Sequence, residues 1–298
     1  MDKIIFLKPY FKTVLWANQN LKFLFNLKQA NIGEAWLISA VPNCESIILN
    51  SKYSQMKLST FFKENKIFFD NYQGNYPNLT KFIDAKDKLS IQVHPDDKLA
   101  KKVNSFGKDE CWYVLNTNSS KFILGLKSGL KKDIIADLKK ENINKWAKSL
   151  KIQNGDFIYV QAGLVHAIPE QTLVYELQQS SDITYRISDY NRIDFNGKKR
   201  QLHIEEASKA IKTTLKPKIV KNKKYLIKNK YFNLQKIKIN EKTTISLNKS
   251  KWCEVVVVDG EGFVDNNYIK KGQAFLVSHL QKEFTITGKI TILINFIN

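Results

Sequence analysis

Apolar residues in this chain come in short runs bounded by turn formers, and that spacing restricts the fold more than any single motif does. Residues 4–7, 13–16, 23–27, 34–40 and 46–49 are such runs. Asn31-Ile32-Gly33 and Val41-Pro42-Asn43 punctuate them, as in a strand meander. The pattern returns at 231–239, 243–247, 254–258, 274–277, 284–287 and 290–296, with Asp259-Gly260-Glu261-Gly262 read as a turn. Helical spacing is confined to a few places. Residues 58–64 and 204–211 read as short helices, and Pro95-Asp96-Asp97 opens another that ends near Phe106-Gly107. Between about 128 and 150, Leu130, Ile134, Ile135, Leu138, Ile143, Trp146 and Leu150 recur near helical spacing. This predicts a small helical insertion, either plain structure or one wall of a cleft. A mainly β chain of 298 residues exceeds the usual single domain. The composition shift past Lys216-Pro217-Lys218 places the boundary, giving residues 1–215 and a smaller all-β unit, 216–298.

The stretch with most chemistry is Leu89-Ser90-Ile91-Gln92-Val93-His94-Pro95, a strand that sends Gln92 and His94 to one face. Glu110 opens the next apolar run. His166 follows a Gly-containing turn after Gly155-Asp156-Phe157-Ile158-Tyr159-Val160. Two imidazoles, a carboxylate and an amide oxygen suit a borderline divalent ion such as zinc. Taken singly, each imidazole is equally a buried, hydrogen-bonded core residue. Lys81 interrupts the apolar run 79–85 and needs an anionic partner if buried, though a solvated strand face accounts for it as well. Glu34, beside Trp36 at a strand start, carries only a weak signal.

The formal charge of +20 comes from lysines scattered along the chain, with no basic run of the kind that tracks phosphates, so a nucleic-acid partner is not expected. Against that lysine background the only arginines, Arg186, Arg192 and Arg200, fall in one window. A retained guanidinium points to a need for its planar fork, although a structural ion pair explains Arg192 and Arg200 equally. Cys44, Cys111 and Cys253 are widely spaced and form neither a disulfide framework nor a zinc knuckle pattern. With no signal peptide and no apolar run of membrane-spanning length, the expectation is a soluble cytoplasmic protein without a membrane partner.

Gly155, Gln161-Ala162-Gly163 and His166 match the second cupin motif, with Gln161 in place of the usual proline. The other motifs are Lys81-Phe82-Ile83-Asp84-Ala85, Leu89 to Asp97, Lys108-Asp109-Glu110-Cys111-Trp112-Tyr113-Val114, Val165-His166-Ala167-Ile168 and Ser181-Asp182-Ile183-Thr184-Tyr185-Arg186. Together they resemble the type I mannose-6-phosphate isomerases of the cupin superfamily, in their short bacterial form. Trp16-Ala17-Asn18 and Ser188 depart from the family pattern. The resemblance implies a cupin-type jelly-roll barrel with a second, smaller C-terminal jelly roll lacking metal. It implies one zinc ion per chain on Gln92, His94, Glu110 and His166, with Arg186 catalytic and Lys81, Ser90, Lys108 and Arg186 binding substrate. The implied reaction interconverts mannose 6-phosphate and fructose 6-phosphate through an enediol, in a monomer or homodimer. A general base is not singled out, and a lysine of lowered pKa is among the options. Two alternatives stay open: a non-catalytic sugar-phosphate-binding cupin, and an iron oxygenase using His94, Glu110 and His166.

Overall fold

The computed structural model describes residues 2–118 and 121–298, and its regular structure is mainly antiparallel strand. A seven-stranded sheet runs in the order Lys218–Val220, Phe157–Val160, Glu110–Thr117, Thr172–Gln179, Asn78–Ala85, Ile32–Ile38 and Tyr10–Thr13. A five-stranded sheet runs Tyr185–Ser188, Ile91–Val93, His166–Ala167, Lys121–Leu126 and Ala147–Lys151. The two face each other across a core that includes Ile83, Trp112, Val114 and Val174 from the first and Phe122 and Leu124 from the second. They form the jelly-roll barrel. The far face of the seven-stranded sheet packs Phe82, Cys111, Tyr175 and Leu177 against Leu234, Trp252, Val256 and Leu293 of a nine-stranded sheet. Asn78–Ala85 and Thr172–Gln179 are therefore buried at every residue, their polar side chains included.

The nine-stranded sheet is built on two long strands, Trp252–Val264 and Glu283–Ile297, and folds around a separate core of Val255, Val257, Phe275, Ile286 and Ile292. Strand pairing links the two halves of the chain in both directions. Ile4–Lys8 pairs with Ala274–Ser278 in this sheet, and Lys218–Val220 pairs with Phe157–Val160 in the seven-stranded one.

Several local expectations change. Asp259-Gly260-Glu261-Gly262 is strand, not turn, and 284–287 and 290–296 are one strand that passes through Gly288. The glycines allow a close crossing: a Cβ on Gly262 would lie 2.0 Å from the Thr287 carbonyl oxygen, and one on Gly288 2.6 Å from the Gly262 Cα. Part of run 23–27 belongs to a helix, Asn20–Leu24, whose entry is held by Asp84 accepting from Leu21 N at 3.1 Å and Asn20 Nδ2 at 2.8 Å. That anchor comes from a distant strand and leaves no local trace. The insertion holds a helix, Lys131–Lys139, but ends as the strand Ala147–Lys151, because pairing with Lys121–Leu126 overrides the spacing. Ile134 and Leu138 pack with Ile91, Val93 and Ala207 behind the five-stranded sheet, so the helix backs the barrel and does not wall a cleft.

Candidate active site

Facing sheets deliver the candidate ligands from opposite sides. In the five-stranded sheet Gln92 is the register partner of both His166 and Arg186, so these three side chains lie abreast on neighbouring strands. His94 follows the same strand as Gln92. Glu110 enters from the seven-stranded sheet, opposite Val160 and Gln178. His94, Glu110 and His166, all buried, bring ligating atoms within 4.8 Å of one another.

The hydrogen bonds at the back of each ring fix what it presents at the front. His94 Nδ1 lies 3.0 Å from the Ile183 carbonyl oxygen and His166 Nδ1 2.9 Å from that of Leu164. A carbonyl only accepts, so each Nδ1 carries the hydrogen and each neutral ring turns a bare Nε2 lone pair inward. Burial, and then the Lys108 ammonium, push His94 down to about 3, and burial likewise lowers His166. For Glu110, burial opposes ionisation, but the adjacent Lys108 ammonium leads the charges that outweigh it and hold the carboxyl well below its usual range. Two unprotonated nitrogens therefore face two carboxylate oxygens, at 3.2 Å for His94 and 3.3 Å for His166. His94 Nε2 and both Glu110 oxygens have no hydrogen-bond partner, and Lys108 Nζ stands 3.3 Å from Glu110 Oε2 as an ion pair. A cation is the group that satisfies all of them, and the donor types suit zinc. Gln92 donates Nε2 to His166 Nε2 at 3.2 Å while Ser90 Oγ donates to its Oε1; a half-turn of the planar amide would bring the oxygen to the same point.

A cavity of about 270 Å³ opens beside this cluster and is lined by Lys81, Ser90, Gln92, Lys108, Glu176 and Arg186, among others. Lys81 is not on a solvated face. It is buried 3.4 Å from Glu34, 3.7 Å from Glu176 and 3.8 Å from Asp182. Burial opposes its charge, but those carboxylates raise its pKa, so Lys81 stays an ammonium and is unsuited to serve as a lysine base of lowered pKa. Arg186 donates Nη1 to the Gln201 carbonyl at 2.8 Å, and its buried Nε has no partner. Arg192 and Arg200 both bond Asp189, an ion-pair clamp, and Arg200 also reaches the cavity lining.

Residues 15–126 match the model of the type I phosphomannose isomerase catalytic domain, and residues 221–297 that of the mannose-6-phosphate isomerase cupin domain. Mannose-6-phosphate isomerase ManA of Bacillus subtilis is 31% identical over 95% of this chain and 96% of its own length. The chain belongs to the type I phosphomannose isomerase family. A mannose-6-phosphate isomerase of Streptococcus mutans is 35% identical over 70% of this chain and 67% of its own. The crystal structure of the mannose 6-phosphate isomerase from Bacillus subtilis superposes with a TM-score of 0.92 at 30% identity, covering 99% of this chain and 100% of that one.

Beyond the motif residues of this isomerase family, the cavity contains groups that reading the sequence gave no role. Glu176 accepts from Trp112 Nε1 at 2.9 Å, and burial, followed by the Glu110 charge, pushes it up to about 7. Its signal lay in the alternation of Val174, Glu176 and Gln178 along one face of an apolar strand. Asp182 stood inside a quoted motif without an assignment. Glu34, weak in the sequence, proves to be a buried Lys81 partner that also accepts from Trp36 Nε1 at 2.7 Å.

Proposed function

We propose that the protein interconverts mannose 6-phosphate and fructose 6-phosphate, using one zinc ion held by Gln92, His94, Glu110 and His166. The observation that carries the metal is the set of buried lone pairs of His94 and Glu110 facing one another with no hydrogen between them. Bound there, the ion would supply Lewis acidity toward the substrate's carbonyl and hydroxyl oxygens.

The remaining chemistry falls to the chain's own side chains. An aldose–ketose isomerisation moves a proton between adjacent carbons, and negative charge builds on oxygen as the enediol forms. Arg186, abreast of Gln92 and permanently charged, is the catalytic cation that meets this charge. Ser90 and Lys108 hold substrate oxygens. Lys81 contributes an ammonium whose carboxylates stand at 3.4–3.8 Å, loosely enough to leave an N–H for the sugar phosphate. Five cationic side chains line the cavity against three carboxylates, which favours an anionic substrate over the neutral ones open to an oxygenase.

The test is a coupled assay for fructose 6-phosphate formed from mannose 6-phosphate, with and without a chelator, together with metal analysis. Turnover that stops on chelation and returns with zinc is the expected result. Bound iron with oxygen uptake, or metal without turnover, would overturn it.

A further inference from the structure

We propose that Asp109 is a positioning residue that holds Glu110 and His166 in mutual register through one carboxylate, an inference that rests on the metal-site reading above. Asp109 immediately precedes Glu110 and is buried. Its backbone is locked to Gln179: the Asp109 N–H donates to Gln179 Oε1 at 2.9 Å, and the Gln179 N–H donates to the Asp109 carbonyl at 3.0 Å. Its carboxylate reaches the other way. Oδ1 accepts from the Ala162 N–H at 2.7 Å, and Oδ2 accepts from the Tyr159 hydroxyl.

Ala162 lies in the turn that delivers His166. Within that turn the Gly163 N–H donates to the His94 carbonyl at 2.9 Å, the Leu164 N–H donates to the Gln161 carbonyl at 2.9 Å, and the Leu164 carbonyl accepts from His166 Nδ1. Gly163 has φ +97°, and a Cβ there would lie 2.8 Å from Lys212 side-chain carbons, so the turn requires glycine at this point. Its first residue, Gln161, lacks the ring that would fix φ in a proline. The restraint comes from Asp109 instead. One carboxylate thus joins the peptide entering Glu110 to the turn that grips the His94 backbone and aims the His166 ring, so three of the four donors share this support.

The experiment measures zinc affinity by competition with a chromophoric chelator and the visible spectrum of the cobalt(II)-loaded protein, which reports coordination geometry. Asp109→Ala is expected to weaken zinc binding roughly ten- to a hundredfold and to shift the cobalt bands, as loss of an outer support does. Asp109→Asn, whose Oδ1 can still accept from Ala162, should recover most of the affinity. If Asp109→Ala does not fold, Asp109→Ser carries the same expectation, since its hydroxyl keeps a polar group at the site but stops one bond short of both Tyr159 and Ala162. A control, Val277→Ala in the distant C-terminal core, should lower the melting temperature without changing either readout. Parental affinity and spectrum in Asp109→Ala (or in Asp109→Ser, where that stands in for it), or equal weakening by Val277→Ala, would sink the proposal alone. A parent protein that takes up no metal would sink the site reading and this proposal with it.

Discussion

Arg186 is placed by backbone contacts and not by a carboxylate. Its N–H donates to His203 Nδ1 at 3.2 Å, its carbonyl accepts from the His203 N–H at 2.8 Å, and only Nη1 is committed to a backbone oxygen. The guanidinium therefore keeps donors that the proposed substrate could engage. Arg186→Lys should retain the parent's metal content and lose turnover by about 10²-fold or more, because a point charge does not reproduce the fork; equal activity in steady-state assays would remove the assigned role. Lys81 differs in kind, since its charge also maintains the fold. Lys81→Met strands Glu34 and Glu176 in the interior and should cost about 3–5 kcal/mol in denaturant unfolding. Lys12→Met removes a partner of Asp182 at a more exposed site and should cost less than about 1 kcal/mol.

Among the elements, the two long C-terminal strands depend on glycine where they cross. Pairing Gly262 with Gly288 brings backbone within the space a side chain would fill. Gly288 also has φ +114°, which a β-branched residue tolerates poorly. Gly288→Val is predicted to destabilise by more than about 3 kcal/mol, seen as a lowered denaturant midpoint or loss of soluble protein. The barrel strands face a different constraint. Because Asn78–Ala85 and Thr172–Gln179 are covered on both faces, their buried charges need a partner or the cavity to receive them, as Lys81 and Glu176 show.

For the whole molecule, the layer between the seven- and nine-stranded sheets buries the Glu254 carboxyl. It accepts from Tyr76 Oη at 2.7 Å and Asn295 Nδ2 at 3.0 Å, and burial raises its pKa. A raised folded-state pKa gives stability that is complete below the unfolded value and is lost as pH rises through the folded one. Glu254→Gln should therefore gain melting temperature relative to the parent as the buffer is moved from about pH 5 to pH 8; a constant difference across that range would count against it. Metal bound at the proposed site would also couple to the fold, because its candidate ligands come from both barrel sheets. Zinc at a hundred times its dissociation constant should stabilise the protein by about 2.7 kcal/mol over the chelated form, visible as a thermal shift.

What the sequence determined by itself was local. Short apolar runs gave the β class, and strand alternation put Gln92 and His94 on one face. The motif order identified the family, and with it the roles proposed for Glu110, His166 and Arg186. These depend on residue type and near-neighbour spacing, which a linear chain displays. The tertiary structure alone decided that Lys81 is ringed by Glu34, Glu176 and Asp182, that Asp84 anchors a helix far from it in sequence, and that Ile4–Lys8 pairs with Ala274–Ser278. Each of these joins residues separated by tens to hundreds of positions. Such partners are chosen by burial, where an unpaired charge or open strand edge is costly, and not by any preference written in the residues beside them.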